Sequence, residues 1–103
     1  MKIYLSLPIS GLDENKQRNR AIIWKTYFES KGHEVVNPFD IYDGIKRYQP
    51  TYNQIIRCDL KSLKKCTHIF FLDGWQNSKG CIIEAEFAIK MDIKVMFESK
   101  IIL

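Results

Sequence analysis

With 103 residues, the chain is long enough for one domain whose core buries roughly 65% of the extended surface, and it is too short for two domains. Its net charge of +4 is spread over scattered basic residues, which argues against DNA or RNA as a partner. No apolar run approaches the ~18 residues of a membrane helix. The three cysteines show no C-x-x-C spacing, so a reduced, cytoplasmic protein without a membrane partner is expected.

The first elements are a strand over residues 2 to 7 and a long helix that ends at about Lys31. Ser10-Gly11-Leu12-Asp13 has the form of a capping box and predicts Ser10 as the helix N-cap. Gly32 is a natural C-terminal stop. The helix carries an apolar stripe that would cover one face of a sheet, formed by Ala21, Ile22, Trp24 and Phe28.

A second strand is predicted over residues 33 to 37, ended by Pro38. Residues 38 to 52 are rich in turn formers and aromatics and predict a long loop, a feature that often serves as a lid. A helix over about 52 to 65 and a continuous apolar strand over 67 to 72 follow. The chain therefore begins as an alternation of strands and helices.

A third long helix over about 79 to 91 and a strand over 93 to 97 continue this alternation, with residues 100 to 103 a candidate short fifth strand. Such an order requires right-handed crossovers and a parallel sheet. We therefore predict a single α/β domain over residues 1–103, a three-layer, doubly wound parallel sheet of flavodoxin-like or Rossmann-like type. The predicted strand order is 2-1-3-4, with the fifth strand, where present, after the fourth.

In this order the loops after strands one and three meet at the topological switch point, where open α/β sheets bind ligands. The second loop, from Asp73 to Gly80, opens a helix that bears Glu84 on its first turns. Glu86 has Lys90 four residues on and is expected to form a surface ion pair. Glu84 has no helical cation and is expected to face the crevice, although a carboxylate near a helix start is also favoured by the helix dipole.

Asp59 is a second unusual carboxylate, because it borders the apolar stripe of its helix. It is either functional or paired with a backbone donor or Arg57. Ser78 is the expected N-cap of the helix that carries Glu84, and a helix N-terminus with a hydroxyl is a ready phosphate site. His33 and His68 have no partners at metal-ligand spacing, so neither a metal nor a cofactor is expected.

These motifs together resemble the nucleoside 2-deoxyribosyltransferase superfamily over nearly the whole chain. The resemblance is carried by the strand-one tyrosine, the turn after that strand, the R-x-D-L sequence and the S-x-G-x-x-x-E sequence, here Tyr4, residues 6 to 11, Arg57 to Leu60 and Ser78 to Glu84. The superfamily includes 2'-deoxynucleoside 5'-monophosphate N-glycosidases and a group of small, uncharacterised bacterial and phage proteins, which this chain most resembles.

The resemblance implies roles for several residues. Glu84 would be the nucleophile that attacks the anomeric carbon and expels the base, Asp59 would protonate the base or orient the site, and Tyr4 would line the ribose pocket. Ser78 matches the serine that contacts phosphate in the monophosphate hydrolases, whereas Pro8 and Ser10 replace that group's arginine and G-S element. Trp75 would offer a stacking platform for the base. The substrate-binding residues expected from both loops are Ser6, Pro8, Ser10, Gly11, Asp73, Trp75, Ser78 and Gly80.

The sequence thus predicts an N-glycosidase or 2-deoxyribosyltransferase acting on a (deoxy)nucleoside or its 5'-monophosphate. The alternative is a non-catalytic nucleotide or flavin binder on the same fold. The expected partner is a small nucleoside or nucleotide. A homodimer or larger homo-oligomer is implied by the resemblance and by the apolar end at residues 101 to 103.

Overall fold

The computed structural model describes residues 1–101 as four parallel strands with helices on both sides. The strands are β1 (Lys2–Ser6), β2 (Glu34–Val36), β3 (His68–Phe71) and β4 (Lys94–Phe97). The helices are α1 (Glu14–Ser30), α2 (Pro38–Ile45), α3 (Tyr52–Leu63) and α4 (Lys79–Lys90), with short 3-10 turns at Lys46–Tyr48, Trp75–Asn77 and Glu98–Lys100. The sheet order is β2-β1-β3-β4, so the predicted doubly wound fold is confirmed.

The alternation of side chains along β1 divides the core into two layers. Ile3 and Leu5 point toward α1, where they pack with Trp24, Phe28 and Phe70. Tyr4 points to the opposite face and packs with the layer of Leu63, Ile69, Phe71 and Ala88, which includes side chains of α3 and α4. Tyr4 and Ser6 share this second face because they are two residues apart on one strand.

Several helix ends agree with the predictions, and one does not. Ser78 is the N-cap of α4, since its Oγ accepts a hydrogen bond from the Cys81 amide at 3.3 Å. The N-cap of α1, however, is Asp13, whose carboxylate accepts a hydrogen bond from the Lys16 amide at 3.0 Å. The predicted capping role of Ser10 is wrong, because Gly11 takes a left-handed conformation at φ +78° and separates Ser10 from the helix.

The segment predicted as a long loop over residues 38 to 52 is largely helical, which is the main correction to the fold. Asn37 caps α2 by accepting a hydrogen bond from the Phe39 amide at 3.0 Å, and Pro38 occupies the first helical turn. Proline is well suited to that position, where its missing N–H is not needed. Burial of Phe39 against the α1 side of the core anchors the helix.

Two further expectations are corrected at the edges of the fold. Ile22 is 54% exposed and does not belong to the inward stripe of α1, which instead includes Gln17. The candidate fifth strand is wrong at Lys100, which lies in a 3-10 turn, and its last two residues fall outside the described part of the chain. Within residues 1–101, no helix combines the length and apolarity needed to cross a bilayer.

Candidate active site

The loops after β1 and β3 meet at the carboxyl end of the sheet, as the strand order requires. Pro8 from the first loop approaches Gly74 from the second so closely that a Cβ at Gly74 would lie 3.3 Å from the proline Cγ. Gly74 also has φ +94°, a conformation that other residues adopt only with strain. The contact fixes the two loops side by side and places α4 next to the end of β1.

Glu84 is the most deeply buried carboxyl of this region. It lies in α4 between Cys81 and Ala88 on the buried face of the helix and is only 5% exposed. Tyr4 donates a hydrogen bond to its Oε2 at 2.5 Å, and Ser6 donates one to its Oε1 at 2.7 Å. Each carboxylate oxygen therefore has one hydroxyl partner from β1, which fixes the orientation of the carboxylate.

Burial is the main cause of the unusual proton affinity of Glu84. It raises the pKa of this carboxyl to about 7, although the hydrogen bonds from Tyr4 and Ser6 act in the opposite direction. Burial, and then the charge of Glu84, raises the pKa of Tyr4 well above its ordinary value, so this hydroxyl remains a donor at neutral pH. Glu84 thus changes its charge in the physiological range.

Asp59 in α3 is the second buried carboxyl, 8% exposed. Burial, and next the charge of Glu84, raises its pKa to about 8. No hydrogen-bond partner of its carboxyl lies among residues 1–101. The carboxyl therefore faces open space and does not pair with Arg57, which was the structural alternative from the sequence.

Both carboxyls line an inner cavity of about 280 Å³ between α2, α3 and α4. Its walls are mainly apolar and aromatic, a composition typical of small-molecule sites. The wall on the α2 side contains Phe39 and Tyr42, and the α3 side contains Tyr52, Ile55 and Ile56. The inner cavity thus combines two titratable carboxyls with flat, apolar surfaces.

An outer cavity of about 700 Å³ adjoins the inner one, and the two share Ser10, Tyr52, Ser78 and Gly80. It differs from the inner cavity in that its lining includes cations. Lys79 at the start of α4 and Arg20 from α1 supply positive charge, and Asp73 supplies a carboxylate. Arg20 is itself anchored, since it donates hydrogen bonds to Gln17, to the Asp73 carbonyl and to Glu98 at 2.9 to 3.1 Å.

Most of the residues expected to bind substrate line one of the two cavities. Ser10, Ser78 and Gly80 line both, and Pro8 and Asp73 line the outer one. Ser6 is fully buried behind Glu84. Tyr4 likewise contacts the Glu84 carboxylate, so both hydroxyls act on the carboxylate and line neither cavity.

Gly11 and Trp75 lie outside both cavities. The Trp75 ring packs against Phe71 and Phe97, with centroids 4.7 and 5.8 Å away. It contributes to the hydrophobic layer on the α3 and α4 side, so the geometry gives no support to the predicted stacking platform. The expected ion pair between Glu86 and Lys90 is also absent from the ion pairs of residues 1–101.

Sequence reasoning missed part of the cavity lining. Phe39 and Tyr42 belong to the segment mistaken for a loop, although the length of that predicted loop did suggest a functional role. Tyr52 begins α3, where the sequence predicted a helix start, but its place in the lining of both cavities was not foreseen. The cations of the outer cavity, Arg20 and Lys79, had no signal in the sequence that separated them from other surface cations.

The residues of this site offer no metal centre. Within the described range, no three side chains of histidine, cysteine, aspartate or glutamate come together as metal ligands. Cys81 lines the inner cavity, but burial raises the pKa of its thiol and keeps it protonated. The groups available to the site therefore include two buried carboxyls, several hydroxyls and two nearby cations.

One solved structure that resembles the chain is that of the Clostridium botulinum CMP N-glycosidase BcmB. The TM-score is 0.65 and the identity 22%, and the match covers 94% of this chain and 70% of that one. At this identity the likeness establishes the shared fold. The curated proteins contain no significant match to the chain.

The family described as "Domain of unknown function (DUF4406)" matches residues 1–97. This match spans both loops, both buried carboxyls and all four strands. The chain therefore belongs to the DUF4406 family.

Proposed function

We propose that this protein cleaves the N-glycosidic bond of a nucleoside 5'-monophosphate or a (deoxy)nucleoside, with Glu84 as nucleophile and Asp59 as acid and base. The observation that carries the proposal is the pair of buried carboxyls in one cavity, of which only Glu84 is held by two hydroxyl donors. Glycoside cleavage uses two carboxyls in separate roles. The likeness to a CMP N-glycosidase supports the same class of reaction.

In the first step, a Glu84 oxygen attacks the anomeric carbon of the sugar. The carbon–oxygen ester bond forms as the carbon–nitrogen bond to the base breaks, and the electron pair of that bond leaves with the base. The Asp59 carboxyl donates its proton to the departing base. The product is a glycosyl ester of Glu84 and a free, neutral base.

In the second step, the Asp59 carboxylate takes a proton from a water molecule that attacks the anomeric carbon. The ester bond breaks, Glu84 recovers its carboxylate and the sugar leaves with a new hydroxyl group. A second base in place of water would give transfer of the sugar. Tyr4 and Ser6 stabilise the returning carboxylate in both cases.

The proton affinities suit this division of roles. Burial raises both pKa values, to about 7 for Glu84 and about 8 for Asp59, and only Glu84 has hydroxyl donors that favour its charged form, so the first proton lost from the pair comes mainly from Glu84. When the pair has lost one proton, Glu84 is ionised and Asp59 retains its proton. The site then holds one nucleophile and one acid, the combination that the first step requires.

The two cavities also suit the parts of a nucleotide. With the sugar beside Glu84, a 5'-phosphate would extend past Ser10 and Ser78 into the outer cavity, toward Lys79. The base would remain in the inner cavity beside Asp59 and the aromatic wall of α2. Lys79 and Arg20 would replace the arginine that the first loop lacks.

The test is release of free base from a panel of ribo- and deoxyribonucleosides and their 5'-monophosphates, followed by chromatography. We expect release by the wild type and a loss of at least about 10³-fold in Glu84→Gln. Glu86→Gln is the matched control, because Glu86 is exposed on the same helix and should retain full activity. Equal release by Glu84→Gln and wild type would disprove the mechanism. Binding without release would favour the nucleotide or flavin binder.

A further inference from the structure

We propose that Arg18 is a positioning residue for the nucleobase: it fastens α2 to α1 and so fixes the aromatic wall of the inner cavity. The inference rests on the proposed function for the identity of the ligand. Arg18 itself lines neither cavity. Its effect on the site would therefore pass through the residues that it contacts.

Arg18 forms a bidentate ion pair with Asp43 of α2. Its Nη1 and Nη2 donate hydrogen bonds to the two carboxylate oxygens of Asp43, each at 2.8 Å. This fork geometry is directional as well as attractive, so it restrains the rotation of α2 as well as its distance from α1. The Arg18 side chain is 25% exposed and that of Asp43 37%, so the pair is partly open to solvent and its specificity comes from the fork geometry.

Arg18 also touches two residues of the cavity wall directly. Its guanidinium carbon lies 4.6 Å from the centre of the Phe39 ring, within the range of a cation–π contact. Its Nε donates a hydrogen bond to Glu14 at 3.1 Å. Phe39 and Glu14 both line the inner cavity. Arg18 thus connects three neighbours, of which Phe39 and Asp43 lie on α2 and Glu14 lies on its own helix.

The helix that Arg18 holds needs such a restraint. It has only eight residues, too few to be stable without tertiary contacts. Its inner side supplies Pro38, Phe39 and Tyr42 to the cavity. The other ion pair between α1 and α2, from Lys25 to Asp40 at 3.2 Å, is single, and its carboxylate is 63% exposed. The Arg18 pair is therefore the stronger of the two links.

The base is the part of a nucleotide that this wall would contact. The sugar and phosphate would lie beside Glu84, Ser78 and Ser10, which belong to other elements. A loosened α2 should consequently weaken binding of the base and leave sugar-phosphate binding intact. The hydrogen bond from Arg18 lowers the pKa of Asp43 to about 2, so the ion pair persists throughout the pH range of the reaction.

The first test compares Arg18→Ala, Asp43→Asn and the control Lys25→Ala in base release and in competitive inhibition by ribose 5-phosphate. For Arg18→Ala and Asp43→Asn we expect the KM for a nucleoside 5'-monophosphate to rise about tenfold, with kcat and the pH profile unchanged. The inhibition constant of ribose 5-phosphate should stay within about twofold, because this compound has no base. Lys25→Ala should resemble the wild type. An unchanged KM in Arg18→Ala, or equal weakening of ribose 5-phosphate, would overturn the proposal.

A second measurement does not depend on activity. Hydrogen exchange should become faster in the amides of α2 in Arg18→Ala and Asp43→Asn, and remain as in the wild type in Lys25→Ala. Exchange that is unchanged in all three variants would also overturn the proposal. If the wild type releases no base from any compound, the proposed function fails, while hydrogen exchange still decides the role of Arg18.

Discussion

The inner and outer cavities are adjacent, yet they are built in different ways. The inner cavity contains two nearly buried carboxyls, and the orientation of Glu84 is set by hydroxyl groups from the first strand. The outer cavity is lined by exposed or half-exposed groups such as Ser10, Ser78 and Lys79. Ionising a carboxyl of the inner cavity costs free energy because the group is buried. The charged groups of the outer cavity remain hydrated.

In the proposed reaction, this difference would separate the residues that act on protons from those that bind the phosphate. Buried carboxyls with raised pKa values can exchange protons near neutral pH, which surface carboxyls cannot. Hydrated cations and hydroxyls can hold an anionic group without a large desolvation cost. Variants in the inner cavity should therefore affect turnover, pH dependence and stability, and variants in the outer cavity should affect affinity for a phosphate.

The largest effect is expected from Asp59→Asn. In the wild type, kcat/KM should rise with pH as Glu84 ionises at about 7, and should fall as Asp59 loses its proton at about 8. Because asparagine cannot donate the proton, we expect a loss of about 10²- to 10⁴-fold and the disappearance of the alkaline decline. Initial rates of base release between pH 5 and about 10 measure both.

Two controls make this result specific. Asp92→Asn changes an exposed aspartate outside both cavities and should leave the profile unchanged. A 4-nitrophenyl glycoside of the same sugar has a leaving group that needs no proton, so Asp59→Asn should release the first equivalent of 4-nitrophenol almost as fast as the wild type, and then turn over slowly because the second step lacks its base. If kcat/KM of Asp59→Asn still falls at alkaline pH, a group other than Asp59 causes that decline.

The second effect concerns stability and is expected for Glu84→Gln. Burial raises the pKa of Glu84 from 4.5 to about 7, so ionisation costs more in the folded protein than in the unfolded chain. The stability contributed by this group is complete below about pH 4.5 and is lost as the pH rises through about 7. Glutamine avoids this cost, and we expect Glu84→Gln to be more stable than the wild type by roughly 2–3 kcal/mol at pH 8.

Urea unfolding of the two proteins at pH 8 and pH 5 measures this difference. The gap should shrink at the lower pH, where Glu84 is largely protonated in the folded wild type. Glu86→Gln should show no comparable gap, because its side chain is exposed. A Glu84→Gln variant that is less stable than the wild type at both pH values would mean that the hydroxyl contacts outweigh the cost of burial.

The fold was largely predictable because its main signals are local. The alternating strand and helix patterns, and the buried apolar run from Ile69 to Leu72, specify a parallel sheet covered on both faces. The error at α2 has a tertiary cause. Pro38, Gly44 and Pro50 favour a loop, but burial of Phe39 and the ion pair of Asp43 stabilise a helix, and neither can be inferred from the segment alone.

The two buried carboxyls of the inner cavity were also more predictable than the cations of the outer one. Glu84 and Asp59 stood out because each carboxylate occurs among apolar neighbours on its own helix, and both are buried. The contacts of Tyr4 and Ser6 with Glu84 join residues about 80 positions apart, and only the strand order brings them together. The outer cavity depends on which surface cations the fold gathers, and surface cations carry no local pattern.

The smallest predicted effect tests that outer cavity, through Lys79→Ala and Ser10→Ala. Lys79 lies at the cavity with its Nζ 5.8 Å from the centre of the Tyr52 ring, and Ser10 lines both cavities without capping a helix. Each loss of a charged or hydroxyl contact should raise the KM for a 5'-monophosphate by up to about tenfold and leave the KM for the nucleoside unchanged. Lys90→Ala at the far end of α4 is the control.

The Lys79→Ala effect should weaken with added salt because the contact is exposed. An equal change for nucleoside and monophosphate would place the phosphate elsewhere and leave the outer cavity without a role in recognition.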